Sequence, residues 1–190
     1  MLTIEKETCI KFIEKKSKFI GYIKPISSKK EAEEFINSIK KRHKDASHNV
    51  PVYRVMENGQ EYFKFDDDGE PSGTSGKPMA EILNLKDVYN VALVATRYFG
   101  GVKLGAGGLV RNYAKTAKLS VEEAGIIKYI EKKSIILDFD YSKTDIVDRI
   151  LKSFEINEII KEYQEKVVYR LDVSKDCIEE LAKINGIVII

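Results

Sequence analysis

A glycine-rich segment over residues 96–113 joins an apolar strand to a helix and constrains the fold more than any other part of the sequence. It reads TRYFGGVKLGAGGLVRNY and contains five glycines and three cations. Glycine lets the backbone approach another group closely, and the first turn of a helix presents unpaired N–H groups with a partial positive charge. The segment is therefore interpreted as an anion-binding site.

A second interpretation of these glycines remains open, in which they serve tight turns and close packing of the helix against the strand. The anion interpretation rests on the neighbouring cations, because guanidinium groups and backbone amides bind phosphate or carboxylate together. Tyr98, Phe99 and Tyr113 are candidates either for stacking on bases or for the core. The predicted anion- and nucleic-acid-binding residues are Arg97, Gly100, Gly101, Lys103, Gly105, Gly107, Gly108, Arg111, Lys115 and Lys118.

Composition and charge exclude several classes of protein. The chain has 190 residues, of which 43% are hydrophobic and 33% charged, so it can bury the cores of one large or two small domains. The 32 basic and 30 acidic residues nearly balance, although residues 1–130 carry the basic excess. Cys9 and Cys177 are too few for a disulfide framework. No segment is typical of a signal peptide or a membrane helix, which predicts a cytoplasmic protein without membrane association.

Hydrophobic periodicity predicts a first domain over residues 1–130 that mixes strands and helices. A hairpin is indicated by Asn58-Gly59, because this pair tolerates the positive φ values of a tight turn. Ser27 or Ser28 is expected to cap the first helix. The predicted elements are strands over 7–14, 17–26, 48–56, 60–65 and 88–98, helices over 28–42, 79–85 and 108–123, and a polar loop over 66–78.

The hydrophobic periodicity of strands and helices begins again after residue 130 and predicts a second domain over residues 131–190. Its elements are a strand over 134–141, a helix to 154, strands over 156–164 and 166–173, a helix over 176–184 and a final strand over 187–190. This βαββαβ order is the ferredoxin-like arrangement. The fold class predicted for the whole chain is α+β.

The polar loop carries four carboxylates, and three interpretations of them stay open. Asp66, Asp67, Asp68 and Glu70 could hold a hard cation such as magnesium, form a solvated acidic turn, or pair with the neighbouring cations. His43 and His48 have no partner at zinc-ligand spacing. The Walker, dinucleotide-binding and nucleophile-elbow patterns all fail on this chain. No metal and no cofactor are predicted.

Two long motifs in order, DDGEPSGTSGKP over residues 67–78 and the glycine-rich segment, resemble the YigZ/IMPACT family. SKFI over 17–20 and ASHN over 46–49 are similar to shorter elements of that family. Ser75 stands where alanine is usual, and Val50 stands where cysteine is expected, which argues against thiol chemistry near His48. The family loop positions are His48, Asp68, Gly69, Glu70, Pro71, Ser72, Gly73, Thr74 and Gly76.

The resemblance implies a fold and a biological setting. The N-terminal domain is expected to be a left-handed βαβ domain similar to one shared by a ribosomal small-subunit protein and elongation factor G. The C-terminal domain is expected to be ferredoxin-like. Eukaryotic members regulate translation by competing for the activator of an amino-acid-starvation kinase; that role depends on an additional partner-binding domain, so the kinase pathway is not expected of this chain. For bacterial members, nucleic-acid or ribosome binding is the usual suggestion.

The charged residues and the family resemblance together indicate two classes of function. The first is a translation-associated regulatory protein that binds RNA or the ribosome through the glycine-rich basic surface, with the C-terminal domain as a candidate docking surface for a protein partner. The second is an enzyme acting on a small phosphorylated or carboxylated metabolite, with Asp68 or Glu70 as acid, base or metal ligand. The binding protein is preferred over the enzyme because the spacing reveals no positioned nucleophile and base.

Overall fold

The computed structural model describes residues 1–190, which form two compact units, Met1–Tyr129 and Ile130–Ile190. The elements of the first unit are β1 (Leu2–Ile4), β2 (Thr8–Glu14), β3 (Ser17–Pro25), α1 (Lys29–Arg42), β4 (His48–Glu57), β5 (Gln60–Phe65), α2 (Gly76–Leu85), β6 (Val91–Tyr98), α3 (Ala106–Ala124) and β7 (Ile126–Lys128).

A five-stranded antiparallel sheet in the order β2-β3-β6-β4-β5 organises this unit. Successive residues of a strand point to opposite faces, so each face builds its own core. On one face, Phe19 and Leu93 pack with α2 and α3. On the other face, Ala92 and Val94 pack with α1. The sheet that leads into the polar loop and the glycine-rich segment is therefore supported by helices on both sides.

Local sequence signals account for most of these elements. The β2–β3 turn places Lys15 and Lys16 at φ 44° and 67°, and the β4–β5 turn places Asn58 and Gly59 at φ 52° and 76°. Ser28 caps α1 by accepting a hydrogen bond from the Glu31 N–H at 3.1 Å. The predicted hairpins and the first helix are thus present, with boundaries within one residue or two.

Several boundaries differ from the prediction for physical reasons. The helix predicted from residue 79 begins at Gly76, because Asp67 outside the helix binds its first amide. The strand predicted from residue 88 begins at Val91, because Asp87 and Asn90 adopt positive φ values of 51° and 54° and turn the chain. β1 and β7 pair as a small antiparallel sheet that the sequence did not indicate, because three residues are too few to show a period.

The second unit contains β8 (Lys132–Phe139), a 3-10 turn (Tyr141–Lys143), α4 (Thr144–Ser153), β9 (Ile159–Tyr163), β10 (Val167–Ser174), α5 (Lys175–Leu181) and β11 (Ile187–Ile189). Its antiparallel sheet has the order β11-β8-β10-β9 and shares a core with both helices. The βαββαβ order is as predicted, and the mixed α and β fold class with a C-terminal β/α domain is confirmed. None of the helices has the length and apolar composition needed to cross a membrane.

Candidate functional site

A pocket of about 230 Å³ lies between α3 and the β2–β3 turn. Arg111 and Lys115 are one helical turn apart and therefore face it together. Lys15 lies on the opposite wall, and Glu14 is the one carboxylate of the lining, so the pocket carries a positive charge. Neither Arg111 nor Lys115 makes a salt bridge within the chain. The lining residues are Glu14, Lys15, Leu104, Gly108, Arg111, Asn112 and Lys115.

The start of α3 lies beside this pocket and is open. Gly105 adopts φ 72° just before the helix, and no side chain caps the first turn. The first regular helical bond runs from the Leu109 N–H to the Gly105 carbonyl at 2.9 Å. The preceding amides have no helical acceptor, as at any helix start. A Cβ at Gly107 would meet only Arg111 Nη1, at 3.5 Å, and one at Gly101 or Gly105 would meet nothing.

Gly100 has a different role, which matches the packing interpretation. A Cβ at this position would lie 2.0 Å from the backbone carbon and oxygen of Lys16, so only glycine fits against the hairpin. The Gly100 N–H donates to Ser17 Oγ at 3.3 Å and is therefore used inside the protein. Gly100 shapes the segment, and its amide is turned toward Ser17 instead of an external anion.

Arg97 is also turned inward, which differs from its predicted place among the anion-binding residues. Its side chain is 7% exposed, and Nη1 donates to Glu70 Oε1 at 2.7 Å. The reason is its register in β6, where it follows the fully buried Thr96 and pairs with Phe19 and His48 of the neighbouring strands. A guanidinium with a buried carboxylate partner is not available to an external phosphate.

The remaining predicted cations are on the surface. Lys103 is exposed in the loop before α3, and Lys118 is exposed one turn after Lys115, with Glu122 at 4.0 Å. We call Lys15, Arg111, Lys115 and Lys118 the α3 basic surface. Lys15 was missed by the sequence analysis, because its position near α3 depends on how the hairpin packs and leaves no local signal.

The acidic loop is a hydrogen-bonded scaffold, in which Asp67 binds the start of α2. Its Oδ1 accepts from the N–H groups of Ser75 at 3.2 Å and Gly76 at 2.9 Å and from Ser75 Oγ at 2.7 Å. Its Oδ2 accepts from the Gly73 N–H at 2.7 Å. Burial by itself raises the pKa of Asp67, but these hydrogen bonds outweigh it and hold the pKa below its ordinary value.

Asp68 joins the loop to β4 and α1. Its Oδ2 accepts from the Asn49 N–H at 2.7 Å, and its Oδ1 accepts from Lys40 Nζ at 2.6 Å. Its carbonyl accepts from His48 Nδ1 at 2.7 Å, which leaves Nε2 of a neutral imidazole without a proton. Asp68 and Gly69 adopt positive φ values of 48° and 81°, which turn the chain toward the next carboxylate.

Glu70 is the buried centre of the loop, with a side chain that is 3% exposed. Its Oε1 accepts from Arg97 Nη1 and from the Tyr113 hydroxyl, both at 2.7 Å. His48 Nε2 lies 3.7 Å from Oε2. Burial and the bond to Glu70 raise the pKa of Tyr113, whose ring is fully buried and belongs to the core. The ion pair between Glu70 and Arg97 corresponds to the interpretation in which the carboxylates of the loop pair with neighbouring cations.

The other family loop positions support the same scaffold. The Thr74 N–H and Oγ1 both donate to the Pro71 carbonyl, at 3.0 and 2.6 Å. Gly76 is required by close packing, because a Cβ there would lie 2.5 Å from the Asp66 carbonyl oxygen. Ser72 is exposed. No group of three His, Cys, Asp or Glu side chains is placed to hold a metal ion.

Replacing Asp67 by alanine is expected to lower the free energy of unfolding by about 1–2 kcal/mol at neutral pH, because the start of α2 loses its acceptor. The folded pKa of Asp67 is depressed, so its contribution is present above the unfolded value and is lost as the pH falls through the folded one. The difference between parent and variant should therefore shrink as the pH falls below the ordinary aspartate value of 3.8. Urea unfolding at several pH values measures it.

Asp140→Ala is the control for this experiment, because Asp140 is exposed and its side chain makes no capping bond. Its effect on the free energy of unfolding at neutral pH should be small, because an exposed side chain without a capping bond contributes little to stability. An Asp67→Ala effect that stays constant down to acidic pH would contradict the assigned hydrogen bonds.

Comparison with known proteins identifies the family. A family model described as the Impact N-terminal domain matches residues 15–121. IMPACT family member YvyE of Bacillus subtilis is 38% identical over 162 residues, which cover 84% of this chain and 73% of that protein. IMPACT family member YigZ of Escherichia coli is 29% identical over 158 residues, which cover 83% and 78%.

A solved structure described as a hypothetical protein superposes with a TM-score of 0.65 at 25% identity and covers 100% of this chain and 95% of its own. The match of fold therefore extends over both domains. The resemblance found in the loop and in the glycine-rich segment is confirmed, since the matched range includes both motifs. The chain belongs to the IMPACT family.

Proposed function

We propose that this IMPACT family member acts in the regulation of translation by binding RNA, on or near the ribosome, through the α3 basic surface. The observation that carries the proposal is that Lys15, Arg111 and Lys115 surround one pocket without a salt bridge of their own. The unpaired amides at the start of α3 add donors beside them. The translational setting rests on the resemblance to translation-associated folds, namely the domain shared by a ribosomal small-subunit protein and elongation factor G.

Local charge, and not the total charge, is the physical basis of the proposal. The chain has a net charge of only +2, so a long-range attraction to nucleic acid is weak. Cations that lack a carboxylate partner can exchange water and counterions for phosphate oxygens at little cost to the fold. Lys118 extends the surface along α3 and is held only by an exposed pair with Glu122.

The enzyme hypothesis receives less support from the geometry. Both oxygens of Asp68 accept hydrogen bonds within the chain, and Glu70 Oε1 accepts two. A general acid or base must reach the proton that it transfers. These carboxylates instead hold the loop against β4, β6 and α3.

The double variant Arg111→Ala/Lys115→Ala should weaken RNA binding and flatten its salt dependence. Each lost phosphate contact reduces the slope of log affinity against log salt by about 0.7–0.9, so a reduction of about 1.4–1.8 is expected. Fluorescence anisotropy with a labelled RNA of mixed sequence, measured at several salt concentrations, provides both quantities.

The matched control is Arg149→Ala/Lys152→Ala, which also removes one arginine and one lysine from an exposed helix face, that of α4 in the second unit. It should bind RNA with the parent's affinity and slope. If the α3 double variant also kept both values, the α3 basic surface would not be the RNA site.

A further inference from the structure

The sheet face opposite α2 and α3 is only partly covered by α1. Phe35 and Ile39 of α1 pack over Val55 and Val94, toward the β4 and β6 side. The edge strand β2 has no helix above this face, and Cys9, Lys11 and Ile13 are exposed there, with Ile13 at 72%. Part of an antiparallel sheet is therefore open to solvent.

Strand register shows which side chains share this open face. Phe12 of β2 pairs with Phe19 of β3, and Phe19 packs against Tyr113 of α3. Because side chains alternate along a strand, Lys11 and Lys18 lie on the opposite side of the sheet. Lys18 also pairs with Tyr98 of β6, and Cys9 pairs with Tyr22.

Three aromatic rings on this face are held by a directed chain of hydrogen bonds. The Tyr98 hydroxyl donates to Asp45 Oδ1 at 3.2 Å, so its oxygen accepts from His43 Nδ1 at 2.9 Å. His43 Nε2 then accepts from the Tyr22 hydroxyl at 2.7 Å. The His43 ring centroid is 5.2 Å from that of Tyr22 and 6.0 Å from that of Tyr98. The rings are thus fixed before any ligand binds.

Cations without salt bridges surround these rings. Lys18 Nζ lies 5.8 Å from the Tyr98 ring centroid, and the Arg42 guanidinium carbon lies 5.6 Å from that of Tyr22. The pKa of His43 is lowered mainly by burial. The positive charges of Arg42, Lys18 and Lys11 lower it further, and the negative charge of Asp45 opposes them. We call Lys11, Lys18, Tyr22, Arg42, His43 and Tyr98 the open sheet face.

We propose that the open sheet face binds single-stranded RNA, with bases stacked on its tyrosine rings and phosphates in contact with Lys11, Lys18 and Arg42. Single-stranded nucleic acids are bound where aromatic side chains accept bases beside a positively charged track for the backbone. The bases of a duplex are already stacked on one another and cannot use such rings. The exposed Ile13 adds an apolar contact at the edge strand.

This site goes beyond the proposed function, because it lies on the other face of the sheet from α3 and contacts bases as well as phosphates. The β2–β3 turn lies between the two surfaces, and Lys15 in that turn lines the α3 pocket. The two sites can be tested independently, since no residue of one belongs to the other.

The test uses the full chain and a labelled single strand of about ten nucleotides, within the usual size range of such sites. Tyr98→Leu should weaken binding by about 5- to 100-fold, because a stacked base loses its partner ring. Tyr98→Phe keeps the ring, loses only the hydroxyl, and should bind within about 3-fold of the parent. A duplex of the same sequence should bind more weakly than the single strand.

A second variant keeps the test decisive if Tyr98→Leu folds poorly. Lys11→Ala/Lys18→Ala changes two exposed positions and should reduce the salt slope for the single strand by about 1.4. The weaker binding of Tyr98→Leu and the lower salt slope of Lys11→Ala/Lys18→Ala should both persist in the Arg111→Ala/Lys115→Ala background. This result would separate the open sheet face from the α3 basic surface. Equal binding of single strand and duplex in the Arg111→Ala/Lys115→Ala background, or parent-like binding by a folded Tyr98→Leu protein, would overturn the proposal.

Discussion

Replacing Glu70 by alanine is expected to lower the free energy of unfolding by about 3–5 kcal/mol. The Glu70 and Arg97 side chains are 3% and 7% exposed, so the variant leaves a guanidinium charge buried without its carboxylate. The Tyr113 hydroxyl loses its acceptor at the same time. Urea unfolding followed by circular dichroism measures the change.

Two comparisons isolate the buried charge as the cause. Glu122→Ala removes an exposed carboxylate that pairs with Lys86 and Lys118 and should cost less than about 1 kcal/mol. Replacing both partners with apolar residues, Glu70→Leu with Arg97→Met, should recover much of the lost stability, because no unpaired charge remains. If Glu70→Ala were no more harmful than Glu122→Ala, the buried pair would not support the loop.

Gly100→Ala is expected to lower the free energy of unfolding by about 3 kcal/mol or more, because the added methyl group meets backbone that cannot move aside. The Cβ position is 2.0 Å from the Lys16 carbonyl atoms and 2.4 Å from the Ser17 nitrogen. The β2–β3 hairpin and the start of the glycine-rich segment would have to separate. The midpoint of thermal unfolding provides the measurement.

Gly107→Ala is the matched control within the same segment. Its Cβ would meet only Arg111 Nη1 at 3.5 Å, and alanine is favoured over glycine in a helix by up to about 1 kcal/mol. This variant should be as stable as the parent or more so. Equal losses of stability in the two variants would mean that packing does not distinguish these glycines.

Local patterns predicted the fold well where neighbouring residues determine the structure. Asn58-Gly59 specifies its hairpin turn through positive φ values, and Ser28 specifies the start of α1 through one hydrogen bond. The apolar period of α3 placed Arg111 and Lys115 on one exposed face, where the structure has them. In each case, the partners are at most a few residues apart.

The candidate site was less predictable, because its partners are distant in sequence. Glu70 binds Arg97 and Tyr113, which are 27 and 43 residues away, and no local pattern indicates that an arginine in a strand is buried. Gly100 and Gly107 are the same residue type in one segment, yet only the first meets another part of the chain. The aromatic cluster around His43 likewise joins side chains from two strands and the end of a helix.

The carboxylate of Glu70 also has a consequence for the order of assembly. A chain that has formed only its hairpins lacks both side-chain hydrogen-bond donors to this carboxylate, since Arg97 comes from β6 and Tyr113 from α3. Closing a chain loop over such separations costs entropy, and contacts between the distant elements offset this cost only after they have formed. We therefore expect the segment between β5 and α2 to become ordered late in folding and to remain accessible to proteases until α3 has docked.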